Sequence, residues 1–202
     1  STSTAYPFNN LSYRVGDSTQ NGMWYGTGVE SGLASNPGWY WNGSSWSQRY
    51  YPINAYDISL GRFSTDTLIG IGGETNASPS ANVYYSVNGA AWTTGTAFPV
   101  NTVAGAALKV SGGFYANRGS MGTAGYYCTT AGGAWTAGSA YGGGVTGPIK
   151  AADFNLTEGY ALRGQDAYFY KLTSASGSWS QSASNPVIAN NIPHPFLHNI
   201  NN

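Results

Sequence analysis

The sequence contains little charge: eight Lys and Arg and eight Asp and Glu among 202 residues, for a formal net charge of zero. Charged residues make up 8%, against roughly 25% in an average soluble domain. No basic run is present, so the electrostatic footprint of a nucleic-acid-binding protein is missing. No apolar stretch of about 18 residues occurs, and a membrane-spanning helix is therefore not expected.

Cysteine is nearly absent as well. The single cysteine, Cys128, excludes an internal disulfide and a cysteine-rich zinc site. It follows Tyr126 and Tyr127, which predicts a small core residue rather than a nucleophile. Secreted domains of this size usually contain disulfides, so their absence favours synthesis in a reducing cytoplasm, even for a protein that acts outside the cell.

Glycine and aromatic residues are abundant instead. The chain has 29 Gly and 16 Tyr, and 15% of its residues are aromatic. This composition suits short strands joined by tight turns rather than solvent-exposed helices. The length is that of one good-sized domain.

A repeat organises the chain. Four dipeptides recur at intervals of 44 to 46 residues, each between an aromatic segment and a tryptophan. Asn-Gly and Gly-Gly supply the positive φ angles of a tight hairpin turn, so each unit is predicted to contain a hairpin. The dipeptides are Asn42-Gly43, Asn88-Gly89, Gly132-Gly133 and Ser176-Gly177, and the tryptophans are Trp46, Trp92, Trp135 and Trp179.

Prolines mark the passage between units, because proline does not continue a central strand. They divide one domain, residues 1–189, into four units of four strands each, followed by a C-terminal arm. The prolines are Pro52, Pro99, Pro148 and Pro186; the units span residues 8–52, 53–99, 100–148 and 149–189, and the arm spans 190–202.

One four-stranded sheet of this composition buries neither of its faces alone, whereas sheets packed radially bury both. The predicted fold is therefore an all-β, small β-propeller with four blades of four antiparallel strands and about 45 residues per blade. An up-and-down barrel or a sandwich is the alternative.

The segment YYSVNGAAWT resembles the Asp-box-like motif of sialidase-type propellers, and it is still more similar to degenerate repeats of bacteriophage tail-fibre and other virion proteins. The segment LGRFSTDTLIGIGG is similar to the strands that precede the motif there. The chain departs from the Asp box in the second unit, where Asn88 replaces the aspartate. The third and fourth units carry TTAGG and TSASG in place of the motif. The motif supports a turn and is not catalytic, so the resemblance implies a fold and no chemistry.

Catalysis of the sialidase type would require an arginine cluster, a Tyr-Glu nucleophile pair and an Asp acid. Arg118 and Arg163 occupy matching places in NRG and LRG, but a repeat produces one arginine per unit without any function. His194 and His198 lie between and after prolines that preclude a regular helix. We therefore predict that the chain is not an enzyme and has no metal site and no cofactor.

Two groups of residues are candidates for binding. Trp24, Trp39 and Trp41 concentrate in the first unit and suit stacking on a sugar ring, with Arg118 and Arg163 as further weak candidates. Asp57 and Asp153 lie in first strands that look equivalent, so they are predicted to line a central channel, either bonded to backbone or holding an ion.

The expected function is a non-enzymatic virion module, on a tail fibre, spike or capsid surface, that binds a host surface glycan or a neighbouring structural protein. A free multivalent lectin and a small glycosidase are the alternatives. The expected partners are a surface glycan and other virion proteins, or a second copy through the apolar C-terminal arm, which is predicted to dock on another chain or to close the ring. The expected location is the virion, after synthesis in the host cytoplasm, or otherwise the extracellular space.

Overall fold

The computed structural model describes residues 14–19, 22–27, 38–53, 55–75, 78–89, 91–141, 149–154, 156–163 and 168–184. These residues form eighteen β-strands and no helix, so the all-β prediction is confirmed. The strands are β1 (Arg14–Thr19), β2 (Gly22–Thr27), β3 (Gly38–Trp41), β4 (Trp46–Gln48), β5 (Ser59–Arg62), β6 (Thr67–Ile71), β7 (Glu74–Thr75), β8 (Ser78–Pro79), β9 (Val83–Val87), β10 (Thr93–Thr94), β11 (Ala107–Val110), β12 (Gly113–Asn117), β13 (Gly125–Cys128), β14 (Thr136–Gly138), β15 (Ile149–Phe154), β16 (Glu158–Arg163), β17 (Tyr168–Leu172) and β18 (Ser180–Ser184).

Sixteen of these strands form four antiparallel sheets of four strands, each built from neighbours along the chain. Sheet 1 contains β1 to β4, sheet 2 contains β5, β6, β9 and β10, sheet 3 contains β11 to β14, and sheet 4 contains β15 to β18. Each sheet falls within one predicted unit. The short hairpin of β7 and β8 was not predicted; it follows Gly72 and Gly73, whose φ angles of 64° and 90° end β6.

The hairpin turns follow the predicted chemistry in part. Asn88 and Gly89 have φ angles of 51° and 66°, the pair of left-handed residues that a two-residue hairpin favours. The fourth hairpin, of β17 and β18, also forms as predicted, but its turn residues Ser176 and Gly177 do not have positive φ. There the Gly177 N–H donates to the Ser174 carbonyl at 3.0 Å, which closes the turn with ordinary backbone angles.

The first strands of consecutive sheets lie against one another: β1 contacts β5, β5 contacts β11, and β11 contacts β15. A Cβ at Gly61 in β5 would lie 2.2 Å from the Ala107 carbonyl oxygen, so the two backbones meet where the sequence supplies glycine. Beside these strands the Ala104 N–H donates to the Asp57 carbonyl, and the Ile149 N–H donates to the Ala104 carbonyl, both at 2.8 Å.

The core is divided among the junctions between consecutive sheets. One cluster of buried residues lies between sheets 1 and 2, a second between sheets 2 and 3, and a third between sheets 3 and 4. All residues of β6 and β12 are buried, because sheets 2 and 3 are covered on both faces. These two strands therefore consist mainly of apolar residues instead of alternating apolar and polar ones.

An aromatic triad recurs at the three junctions that the structure describes. We call the segment between the last strand of one sheet and the first strand of the next a connector. One aromatic residue of each described connector packs edge-on against a tyrosine and a tryptophan of the sheet that follows. The ring centroids are 4.8 to 5.4 Å apart and the interplanar angles are 60° to 82°. The triads are Tyr51 with Tyr84 and Trp92, Phe98 with Tyr126 and Trp135, and Tyr141 with Tyr170 and Trp179.

The triads explain why tryptophan recurs. Trp92, Trp135 and Trp179 each directly precede the last strand of a sheet and fill the junction with the sheet before. Edge-to-face aromatic pairs contribute about 0.5–1.5 kcal/mol beyond the area that they bury. The tryptophan repeat is therefore a repeat of packing.

We expect Phe98→Ala to lower the free energy of unfolding by about 3–5 kcal/mol, because it empties the junction between sheets 2 and 3. Urea unfolding monitored by tryptophan fluorescence measures the change. The matched control is Tyr50→Ala, which truncates an aromatic side chain that is 49% exposed and should change stability by less than about 0.5 kcal/mol. Equal losses in the two variants would contradict the role assigned to the triad.

Cys128 is buried in the cluster between sheets 2 and 3, as predicted, and burial raises the pKa of its thiol to about 12. We expect the folded protein not to react with a thiol reagent at pH 8 and the urea-unfolded protein to react fully.

The raised pKa of Cys128 also predicts a loss of stability as the pH rises from 9 toward 12, since only the unfolded chain releases the thiol proton in that range. Cys128→Val should lose less stability over that range; rapid labelling of the folded protein would contradict this account.

Candidate binding surface on the first sheet

Three tryptophans share one face of sheet 1. Along β3, Tyr40 is buried against sheet 2, so its neighbours Trp39 and Trp41 lie on the opposite face. Trp46 pairs directly with Trp41 across the strands, which places both on the same face. The Trp41 and Trp46 ring centroids are 5.3 Å apart with an interplanar angle of 45°. We call Trp39, Trp41 and Trp46 the tryptophan face.

Strand register relates this face to the other sheets. Trp39 pairs across the strands with the residue that lies two positions after Trp46 in the sequence. In each of the other three sheets, a tyrosine likewise pairs with the residue two positions after the tryptophan of that sheet. Trp39 thus occupies the position of Tyr84, Tyr126 and Tyr170 in the triads. Two residues further along the strand, Trp41 occupies the position of Ser86, Cys128 and Leu172. All three of those are buried, and none is aromatic.

A neutral polar turn adjoins the tryptophan face. The Asn42 side-chain oxygen accepts hydrogen bonds from the Ser44 N–H at 3.0 Å and the Ser45 N–H at 2.9 Å, which fixes the exposed turn. Nearby, the Gln48 amide donates to the Tyr50 hydroxyl at 2.7 Å. Aromatic rings beside hydrogen-bonding groups suit a ligand that carries hydroxyl groups. One cation lies next to these groups, since the guanidinium of the exposed Arg49 donates to the Gln48 carbonyl at 2.9 Å.

The structure does not bring the predicted binding residues into one site. Trp24 lies in β2, where it pairs with Tyr40, but its side chain is outside the described residues. Arg118 follows β12 in sheet 3, and its Nε donates to the Asn101 carbonyl at 3.3 Å. Arg163 ends β16 in sheet 4, and its side chain is likewise not described. The tryptophans and the arginines therefore belong to different sheets.

The two aspartates predicted to line a channel are not equivalent. Asp57 lies two residues before β5, with a φ angle of 49°, whereas Asp153 is the fifth residue of β15 and pairs with Gly159. Asp57 thus precedes its strand, whereas Asp153 lies near the end of its own, because the first strand of sheet 2 begins later in its unit than the sequence suggested. Among the described residues no group of three or more His, Cys, Asp and Glu side chains is placed to hold a metal ion. His194, His198 and the C-terminal arm lie outside the described residues.

Sequence reasoning missed a buried polar cluster at the end of β12. The fully buried Asn117 side-chain oxygen accepts from the Ala106 N–H at 2.8 Å and the Gly119 N–H at 3.2 Å. The Thr102 hydroxyl donates to the Asn117 carbonyl at 2.7 Å. Strand pairing places Asn117 at the position that Ile71 holds in sheet 2 and Leu162 holds in sheet 4. An asparagine where those sheets have an apolar residue was the signal that could have revealed the cluster.

The outer face of sheet 4 is charged. The Nζ atom of Lys171 lies 2.5 Å from Oε2 of Glu158 and 5.5 Å from the centroid of the Tyr160 ring. The hydrogen bond from Lys171 lowers the pKa of Glu158, and the same bond raises the pKa of Lys171. By register Lys171 occupies the position that Tyr40, Tyr85 and Tyr127 hold in the other sheets. Those three tyrosines pack toward the following sheet.

The comparisons with known proteins give no family for the chain. No protein-family model matches it, and no curated protein is similar to it. None of the described residues forms a helix long and apolar enough to cross a membrane.

We expect Asn117→Leu to destabilise the protein by about 2–4 kcal/mol, although leucine is the residue at this position in sheet 4. The substitution leaves the buried Ala106 and Gly119 N–H groups without an acceptor, at about 1–3 kcal/mol each when unsatisfied. Thermal and urea unfolding measure the loss. Asn82→Ala, at an exposed asparagine just before β9, is the control and should be nearly neutral. A stable Asn117→Leu variant would show that the cluster is dispensable.

Proposed function

We propose that the chain is a small four-bladed propeller that serves as a non-enzymatic module of a bacteriophage virion and binds a neutral glycan of the host surface. The four sheets are its blades. Support for the blades comes from the contacts of first strand with first strand along the chain and from the recurring aromatic triad. Support for the assignment to a virion comes from the resemblance of the YYSVNGAAWT segment to repeats of virion proteins.

The observation that carries glycan binding is the departure of Trp41 from the repeat. The architecture needs one tryptophan per sheet, and sheets 2 to 4 are packed with Ser86, Cys128 or Leu172 at the position of Trp41. Trp41 remains half-buried against Trp46, beside an exposed polar turn. A large aromatic side chain that the packing does not require is a candidate for ligand contact.

The turn beside Trp41 supports the choice of a neutral sugar. The turn beside Trp41 offers amide and hydroxyl groups of Asn42, Ser44 and Ser45, and none of the three is charged. A sugar ring stacks its C–H face on an indole and directs its hydroxyl groups to such polar neighbours. Arg118 lies in sheet 3, and the nearer cation is the exposed Arg49, whose guanidinium donates to the carbonyl of Gln48.

One site per chain is proposed rather than several. A free multivalent lectin would reuse the same position in each blade, but the residues equivalent to Trp41 are small or aliphatic and buried. A single weak site suits a virion, since many copies on one particle bind a surface together. Such multivalency raises the effective affinity by about 10²–10⁴ without any new contact.

The test uses Trp41→Leu, which restores the residue that sheet 4 carries at this position. We expect the variant to remain folded, with a loss of about 0.5–1.5 kcal/mol of stability from the contact with Trp46, and to lose about tenfold in affinity for neutral oligosaccharides, measured by glycan array followed by calorimetric titration. Arg118→Ala is the matched control and should bind as the wild type does. Loss of binding in Arg118→Ala alone would move the site to sheet 3.

Mass spectrometry of purified particles tests the virion assignment separately, with the chain expected at a fixed copy number per particle. Particles of full composition without the chain would overturn that assignment. If the wild-type protein binds no glycan but is present in particles, the ligand of the module is a neighbouring structural protein and the glycan proposal is wrong.

A further inference from the structure

An asparagine followed by glycine can react with its own backbone and lose its side-chain amide. The chain contains three such asparagines, Asn21, Asn42 and Asn88. We infer that Asn42 is a site of self-modification by deamidation in the folded protein, and that the turn in which it lies promotes the reaction.

The reaction needs water and no other reagent. The Gly43 nitrogen attacks Cγ of Asn42, so that an N–C bond forms while the nitrogen proton passes to water and a carbonyl electron pair moves onto Oδ1. The Cγ–Nδ2 bond then breaks, and Nδ2 takes up a proton and leaves as ammonia. Water opens the resulting cyclic imide at either of its carbonyl groups, which gives aspartate or isoaspartate. Glycine favours the attack, because it has no Cβ beside the reacting nitrogen.

Packing separates the three dipeptides. A Cβ on Gly22 would overlap a backbone carbonyl oxygen, and one on Gly89 would overlap the ring of Tyr40, so neighbouring atoms hold both peptides in place. A Cβ on Gly43 would meet no atom of the described residues within 4 Å. Asn42 and Gly43 are both exposed, whereas Gly89 is buried. The peptide between Asn42 and Gly43 is therefore free to turn toward the side chain as the ring closes.

The turn also places donors where the reaction develops negative charge. Oδ1 of Asn42 accepts from the Ser44 N–H at 3.0 Å and the Ser45 N–H at 2.9 Å, and the Ser44 hydroxyl donates to it at 3.0 Å. Attack on Cγ converts this oxygen into an oxyanion, and donors fixed about 2.7–3.1 Å away stabilise an oxyanion more than the starting amide. The hydrogen bonds that fix the turn thus form an oxyanion hole for its own asparagine.

The products change the turn in charge and in backbone. Both place a carboxylate next to Trp41, where the neutral amide now lies. Isoaspartate also adds a carbon to the main chain, which displaces the Asn42 N–H from the Ser45 carbonyl that it bonds at 3.3 Å. The inference does not rest on glycan binding, because the reaction is the same whether or not Trp41 contacts a sugar.

Mass spectrometry of the full chain tests the inference. The protein is incubated at mildly alkaline pH, folded or in urea, and peptide fragmentation measures aspartate and isoaspartate at each asparagine. In the folded protein we expect Asn42 to convert about tenfold faster than Asn21 and Asn88, because its glycine alone among the three is free of packing. In urea the three rates should converge. Folding that slows Asn42 as much as Asn88 overturns the inference.

Ser44→Ala tests the oxyanion hole. The variant removes the hydroxyl donor from Oδ1 of Asn42, and we expect conversion to slow about two- to tenfold in the folded protein. In urea the variant and the wild type should convert at the same rate, because the turn is absent there. Slowing by the same factor in both states would make the effect one of the local sequence and would refute the role of the turn.

Asn42→Ser tests the assignment of the site. Serine keeps a side-chain oxygen that can cap the turn but has no amide from which to form the imide. We expect labelling of the aged, folded protein by isoaspartate methyltransferase to be largely lost. Asn88→Asp is the matched control, since aspartate tolerates the same left-handed backbone, and its labelling should equal that of the wild type. Full labelling of Asn42→Ser would place the reaction at another asparagine and contradict the inference.

Discussion

The sheets of this protein depend on one interaction, the edge-on packing of a connector aromatic between a tyrosine and a tryptophan of the following sheet. A sheet of four short strands has two faces to cover and few charged residues to keep either one in water. Each triad joins two sheets at the point where the chain passes between them, so the contact is local in sequence. Burial of β6 and β12 on both faces follows from this, because each middle sheet takes part in two such junctions.

Departures from a regular repeat carry most of the functional information. Positions that every sheet fills in the same way, such as Trp92, Trp135 and Trp179, are explained by packing. Trp41, Asn117 and Lys171 each replace the residue type that the other sheets use at the same register. One lies on the tryptophan face, one satisfies buried backbone groups, and one forms an ion pair. Aligning the sheets by strand pairing therefore separates architecture from candidate sites more sharply than composition does.

Sequence reasoning reached the repeat and the turns, because Asn-Gly before tryptophan is a local signal with a known backbone geometry. It did not reach the triads, since the connector residue varies between Tyr51 and Phe98 and its distance from the preceding tryptophan varies by one residue. It paired Asp57 with Asp153 because register is not visible until strand ends are known. It overlooked Asn117, since an asparagine beside arginine and glycine resembles a loop residue when its buried neighbours lie elsewhere in the chain.

The charged outer face of sheet 4 has a consequence for assembly. In sheets 1 and 2 the tyrosine at this register packs against a turn glycine of the next sheet: a Cβ at Gly89 would lie 2.1 Å from the Tyr40 ring, and one at Gly132 would lie 2.5 Å from the Tyr85 ring. Lys171 does not offer that socket, because its ammonium group is held by Glu158. Any surface that covers this face of sheet 4, in the same molecule or in another, therefore meets an ion pair and not an aromatic ring.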